Sequence, residues 1–154
     1  MEMLDQILLA QPFFSGLSPR IAALIASCAR NHVFHAGDYL FHEGTEARTF
    51  YLIREGEVAL EIDPPGHLTM VLNTLHEGDI VGASWLVPPY RWNSDARAAT
   101  RVRALGFDAI CLRRKCEADP DVGYALMKRF VPLLVSRLQA AHLQLLDVYS
   151  PHRV

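Results

Sequence analysis

From Asn31 to about Leu112 the chain is cut at short intervals by glycine-centred turns, and this limits what it can fold into more than any other feature. The turns are Ala36-Gly37-Asp38, Glu43-Gly44-Thr45, Glu55-Gly56-Glu57, Pro64-Pro65-Gly66 and Glu77-Gly78-Asp79. The apolar or alternating runs between them are too short for helices that bury a face, and they read as strands. Those runs are Tyr39–Phe41, Thr49–Ile53, Val58–Ile62 and Leu68–Leu72, followed by Ala98–Val102 and Phe107–Leu112. Short strands with a turn signal at each end predict a sandwich or jelly roll. Pro64-Pro65-Gly66 reads as a hairpin tip, because two prolines cannot sit in a central ladder.

Both flanks switch to helical spacing. Residues 3–10 look like a short helix, and Pro12-Phe13-Phe14 like a hydrophobic turn. Ser18-Pro19 supplies a cap and a proline for the first helical position, ahead of Ile21, Leu24, Ile25 and Cys28. That helix is expected to end near Ala29-Arg30. After Arg113 the pattern is helical again, with Asp119-Pro120-Asp121 as a start signal. Met127, Val131, Leu134, Leu138, Ala141, Leu145 and Val148 then alternate spacings of four and three. Such a seam predicts a dimerising helix; a helix packed on its own domain is the alternative. Pro132 lies inside it and is expected to kink it or remove a bond, since proline lacks an N–H and clashes with the preceding turn. The expected fold class is mainly β with flanking helices: a double-stranded β-helix, or jelly roll, plus a long C-terminal dimerisation helix. The expected division is helices over 1–30, roll over 31–112 and helices over 113–150, all within a single domain spanning 1–154.

Composition narrows the function. The 154 residues are 51% hydrophobic with a formal charge of -2, which excludes a disordered chain and a strongly basic nucleic-acid coat. The acidic start Met1-Glu2-Met3-Leu4-Asp5 is no signal peptide, and no run is long enough to span a membrane. A cytoplasmic, non-membrane protein is the expectation. Cys28, Cys111 and Cys116 read as buried or half-buried thiols rather than a disulfide framework. His32, His35 and His42 cluster in sequence, but without the spacing of a metal site, so no metal is expected. His67 and His76 read as exposed residues beside turns, and His142 as a group able to titrate at a helix interface. A cupin-type metalloenzyme would need paired histidines and a carboxylate on adjacent strands, a spacing that is absent. No P-loop, dinucleotide fingerprint or nucleophile elbow occurs, and an enzyme is not expected.

Four motifs carry a family resemblance. Phe14-Ser15-Gly16-Leu17-Ser18, residues 37–44 (GDYLFHEG), residues 51–58 (YLIREGEV) and residues 75–82 (LHEGDIVG) together resemble the cyclic-nucleotide-binding domain. The resemblance is to the sensor half of bacterial catabolite-activator and fumarate-nitrate-type regulators, and it covers residues 11–149. It implies a phosphate-binding cassette after Gly82. Family members that bind the nucleotide follow that glycine with a glutamate for the ribose; here Ala83 follows, with Ser84 as a weaker substitute. A family arginine followed by a hydroxyl residue binds the phosphate. Two registers are open: Arg97-Ala98-Ala99-Thr100, or one that puts Ala98 and Ala99 at those positions. The candidate ligand residues are therefore Gly82, Ala83, Ser84, Arg97, Ala98, Ala99 and Thr100, with a degenerate cassette. Cyclic nucleotide is the one cofactor-like ligand the resemblance offers.

The segment Trp85-Leu86-Val87-Pro88-Pro89-Tyr90-Arg91-Trp92-Asn93 departs from the family and carries both tryptophans. Trp85, Tyr90, Arg91 and Trp92 are candidates to fill the pocket, to form a different ligand site with Arg91 or Arg97 on an aromatic face or against an acid, or to dock a protein. Three functions follow. One is a homodimeric, non-enzymatic sensor with altered or lost nucleotide binding. Another is a transcription regulator acting through another DNA-binding chain, since the family's winged helix-turn-helix would have to follow the long helix and only residues 150–154 do. The third is a docking or structural protein whose pocket is filled by its own aromatics.

Overall fold

A computed structural model describes residues 3–149. Three of the flanking elements are short. Helix α1 (Leu4–Leu9) and a single 3-10 turn at Pro12–Phe14 lead into α2 (Pro19–Ala26), where Ser18 Oγ accepts from the Ile21 amide at 3.3 Å. Eight strands follow: β1 (Ala29–Phe34), β2 (Tyr39–Phe41), β3 (Thr49–Glu55), β4 (Val58–Ile62), β5 (Met70–Leu75), β6 (Ile80–Val81), β7 (Asp95–Ala98) and β8 (Val102–Asp108). A 3-10 turn at Ser84–Leu86 lies between β6 and β7. The chain leaves the roll through α3 (Ala109–Ala118) and α4 (Pro120–Tyr149). The sheets have the strand orders β1-β8-β3-β6 and β2-β7-β4-β5. All the pairings are antiparallel. Consecutive strands alternate between the sheets for much of the chain, which is the winding of the expected jelly roll.

The core has two parts. Inside the roll, Leu40, Tyr51, Ile53, Val58, Val81, Ala96, Ala98 and Val102 face each other across the sheets. Beneath it, Phe14, Phe50, Trp85, Phe107 and Phe130 pack with the helices. Phe50 stacks on Phe107 with centroids 4.7 Å apart and on Trp85 at 4.7 Å, and Phe130 meets both Phe50 and Trp85 edge-on. Aromatic pairs in these geometries stabilise beyond the area they bury. This block fixes the root of α4 against the roll.

Several boundaries differ from the sequence reading. Helix α2 ends at Ala26, and Ala29 already pairs with Phe107 in β1. Strand β5 runs to Leu75 rather than Leu72. Strand β7 ends at Ala98, so Ala99–Arg101 is a turn and not a strand. The segment 107–112 is not one strand: β8 stops at Asp108, whose side chain accepts from the Cys111 amide at 3.0 Å and caps α3. Helix α4 continues unbroken for 30 residues through Pro132. Flanking backbone bonds carry it past the single N–H that proline lacks.

The expectation of three thiols is also corrected. Cys28, just after α2, and Cys111, in the first turn of α3, form a disulfide with Cα atoms 5.9 Å apart; Cys116 is free. The two are 83 residues apart in sequence and meet only because β1 and β8 are paired, which local spacing cannot reveal. Burial, with Glu117 adding to it, raises the Cys116 thiol above its ordinary range, which favours the unreactive protonated form. Among the described residues no helix is long and apolar enough to cross a membrane.

Candidate functional site

A cavity of about 470 Å³ lies between the mouth of the roll and the long helix. One wall is the backbone that follows β6, Gly82-Ala83-Ser84, and another is Trp92-Asn93-Ser94 on the way into β7. The third wall is α4, through Leu134, Arg137, Leu138, Ala141 and Gln144. Three of those helix residues, Leu134, Leu138 and Ala141, belong to the seam read from the sequence. Two contacts hold the helix over the roll: the Arg137 guanidinium donates to the Ile80 carbonyl, and Gln144 Nε2 donates to the Leu72 carbonyl at 3.2 Å.

The 85–93 segment is split between two jobs. Trp85 turns inward and becomes the centre of the aromatic core, away from the cavity. Trp92 lies against the cavity, stacked on Phe41 at 4.0 Å, with its ring packed so closely on Gly82 that a Cβ there would sit 2.6 Å from it. Trp92 is 4% exposed, part of the buried core, and borders the space. The arginine that sits on an aromatic face is neither Arg91 nor Arg97. It is Arg113 of α3, 4.2 Å from the Tyr90 ring, which also donates to the Trp85 carbonyl at 2.7 Å. Arg91 donates to the Gly44 carbonyl at 2.9 Å and holds the loop before β3.

Of the candidate ligand residues, Gly82, Ala83 and Ser84 come together at the cavity and the rest do not. Alternation along β7 turns Ala96 and Ala98 into the roll and Arg97 out of it. Arg97 Nε and Nη2 donate to Glu61 Oε1 and Oε2, each at 3.0 Å, and this fork raises the guanidinium's already high pKa further. Ala98 is buried in the roll core, and Ala99 is exposed in the turn. Thr100 Oγ1 accepts from the Glu57 amide at 3.0 Å, which ties two turns together. Arg97→Gln is therefore expected to leave ligand binding unchanged and to lower stability by about 1 kcal/mol, the worth of a partly exposed ionic hydrogen bond. Urea denaturation alongside a ligand titration checks it; a loss of binding without a loss of stability would return Arg97 to the site.

The sequence reading missed Asn93, Ser94 and Arg137. Asn93 and Ser94 sit immediately before β7, which the hydropathy pattern places later, at 98–102. Arg137 gave no signal, because a polar residue between seam positions of a helix is ordinary. Among the residues that line the cavity it is the only ionisable one. Burial holds its guanidinium below the usual arginine range, with Asp79 acting against that.

Among the described residues no group of three His, Cys, Asp or Glu side chains is placed to hold a metal. His32 packs edge-on to Tyr51 at 5.4 Å, and burial, then Arg30, lowers its pKa.

Against known proteins, residues 31–119 match the family described as the cyclic nucleotide-binding domain. The chain is 26% identical over 145 residues to a CRP-like cAMP-activated global transcriptional regulator of Mycobacterium tuberculosis. That match covers 94% of this chain and 63% of the regulator, so the chain spans less than two thirds of this relative's length. A putative cyclic nucleotide-binding protein from Geobacter metallireducens has a similar structure, with a TM-score of 0.79 and 27% identity, covering 90% of this chain and 99% of that one. The regulatory subunit of a cAMP-independent protein kinase A from Trypanosoma cruzi, bound to guanosine, follows at TM-score 0.61 and 25% identity, over 77% of this chain and 46% of that one. With the roll, the cavity behind Gly82 and the long helix in place, the chain belongs to the cyclic nucleotide-binding domain family, a family of non-catalytic regulatory and sensor domains.

Proposed function

We propose that this chain is a homodimeric sensor module that binds a small ligand at the Gly82 cavity with altered nucleotide recognition, and signals through α4. One observation carries the reading: the same face of the helix closes the cavity and carries the seam. Leu134, Leu138 and Ala141 line the cavity, while Met127, Val131, Leu138, Leu145 and Val148 remain exposed in the single chain. A row of large apolar residues left open on a long helix favours a second copy of that helix. A ligand in the cavity then touches residues whose packing also sets the dimer, and any difference in its affinity for two helix positions shifts their populations.

The altered recognition rests on Ala83. It offers no charge and no side-chain hydrogen bond where the family resemblance expects a glutamate. Losing such a charge-assisted bond weakens binding of a ribose by about 1.5–3 kcal/mol. The guanosine-bound relative supports the idea that this fold accepts ligands other than cyclic nucleotides. The open cavity favours a bound small molecule over a pocket filled by the protein's own aromatics.

Two measurements test the reading. Sedimentation velocity over a wide concentration range is expected to show a dimer, which Leu138→Glu converts to monomer. Titration with cyclic AMP, cyclic GMP and guanosine, followed by the fluorescence of Trp92, is expected to show saturable binding of at least one. A monomer at every concentration overturns the dimer. A flat titration with no thermal shift for any of the three overturns ligand sensing.

A further inference from the structure

We propose that Arg137 is the anion-recognition residue of the cavity, so that the ligand is a phosphate-bearing nucleotide whose phosphate is held by the long helix rather than by the roll. This rests on the cavity being a ligand site, as proposed above, and adds what that site selects.

The residues of the roll that line the cavity, among them Asn73, Ser84, Asn93 and Ser94, are neutral. The arginine that the family resemblance would have offered is turned out of the roll and occupied by Glu61. That leaves the Arg137 guanidinium, which enters from α4. Its one hydrogen bond among the described residues goes to the Ile80 carbonyl, and it takes part in none of the ion pairs found there. Asp79 is the acidic group near enough to influence it, without reaching ion-pair distance. A guanidinium carries five donors in a planar fork suited to two oxygens of one anion. One bond to a carbonyl leaves most of that capacity unused, and a half-buried cation without a counter-ion is poised for an anion brought by the ligand.

The other walls suit the rest of a nucleotide. The indole of Trp92 is 4% exposed, with one face on Phe41 at 4.0 Å, and where it borders the cavity its rim gives a base an apolar edge to pack on. Asn93 and Ser94 stand next to it as neutral hydrogen-bonding groups able to meet a sugar. A cavity of about 470 Å³ falls in the usual range for small-molecule sites.

The position of Arg137 has a mechanical consequence. Its present acceptor, Ile80, belongs to β6, the strand that leads into Gly82. A phosphate held by the free donors of the same guanidinium joins the ligand to the contact between α4 and β6, so α4 senses the anion directly.

Calorimetric titration of the intact chain with cyclic AMP, AMP and adenosine tests the proposal. The first two carry phosphate and adenosine does not. The wild type is expected to bind at least one phosphate-bearing probe about tenfold or more tightly than adenosine, as a charge-assisted pair implies. Arg137→Gln is expected to bring the three affinities to within about twofold of each other with adenosine binding unchanged, and Arg137→Lys to keep part of the preference. If adenosine and the nucleotides bind the wild type equally, or if Arg137→Gln retains the preference, the inference fails while the cavity stands as a ligand site. If none of the probes binds, this assignment of Arg137 fails, and the broader sensing reading fails only if cyclic GMP and guanosine are silent as well. The wild-type comparison does not depend on how any variant folds.

Discussion

Trp85→Ala is expected to remove about 3–5 kcal/mol of stability, among the largest losses available to a single substitution in this chain. Trp85 is completely buried, stacked on Phe50 and touched edge-on by Phe130, and Phe50 in turn stacks on Phe107. Its removal leaves a void where the roll, the 3-10 turn at Ser84–Leu86 and the root of α4 meet, and neighbouring rings cannot collapse into it without losing their own geometry. The indole Nε1 is buried without a hydrogen-bond partner, so a benzyl group in its place gives up no polar contact. Trp85→Phe is therefore expected to cost much less, about 1–2 kcal/mol. Trp92→Ala is expected to cost less than Trp85→Ala, because that ring, although 4% exposed and stacked on Phe41, borders an existing cavity and leaves no sealed void. Urea denaturation of the three variants decides the matter. Similar losses for Trp85→Ala and Trp92→Ala would place both rings in one layer and overturn this division of the segment.

That division shows where sequence reasoning reached its limit. The roll was legible because turn chemistry is local: each glycine-centred turn lies between two strands that the structure contains. The long helix was legible because its seam repeats. The 85–93 segment has no period, so nothing in it distinguishes a tryptophan at the centre of the core from one seven residues later that is also buried but borders a cavity. Strand β7 was misplaced for a related reason. Residues 95–101 read Asp-Ala-Arg-Ala-Ala-Thr-Arg, and alanines facing inward give almost no hydropathy contrast. The alternation that puts Ala96 and Ala98 inside and Arg97 outside becomes visible only when β4 lies beside them, with Ala59 opposite Arg97. The Cys28–Cys111 bond and the place of Arg137 are longer-range still, since both depend on which elements the finished topology brings together.

The turn after β7 leads to the second large expected effect. Gly56→Ala is expected to cost at least about 2 kcal/mol more than Gly37→Ala. Both glycines sit at turns with positive φ, +98° and +94°, so an alanine at either meets a similar backbone penalty of about 1–2 kcal/mol. Their surroundings differ. A Cβ on Gly37 meets nothing within 4 Å, whereas one on Gly56 falls 2.2 Å from the Arg101 carbonyl oxygen and 2.9 Å from Thr100 Oγ1. The first obstacle is backbone, which cannot rotate away as a side chain can. Relief requires moving the turn between β7 and β8 away from the turn between β3 and β4. That breaks the bond from the Glu57 amide to Thr100 and the bond at 2.9 Å from the Ala99 amide to the Glu57 carbonyl. The comparison cancels the shared φ penalty and reads the clash alone, as a difference in urea midpoint at equal slope. Equal midpoints would mean that the two turns do not touch. Thr100→Val gives an independent check, with an expected loss of about 1 kcal/mol from the hydrogen bond and no change in ligand affinity. A change in affinity with stability intact would instead return Thr100 to the ligand site that its resemblance first suggested.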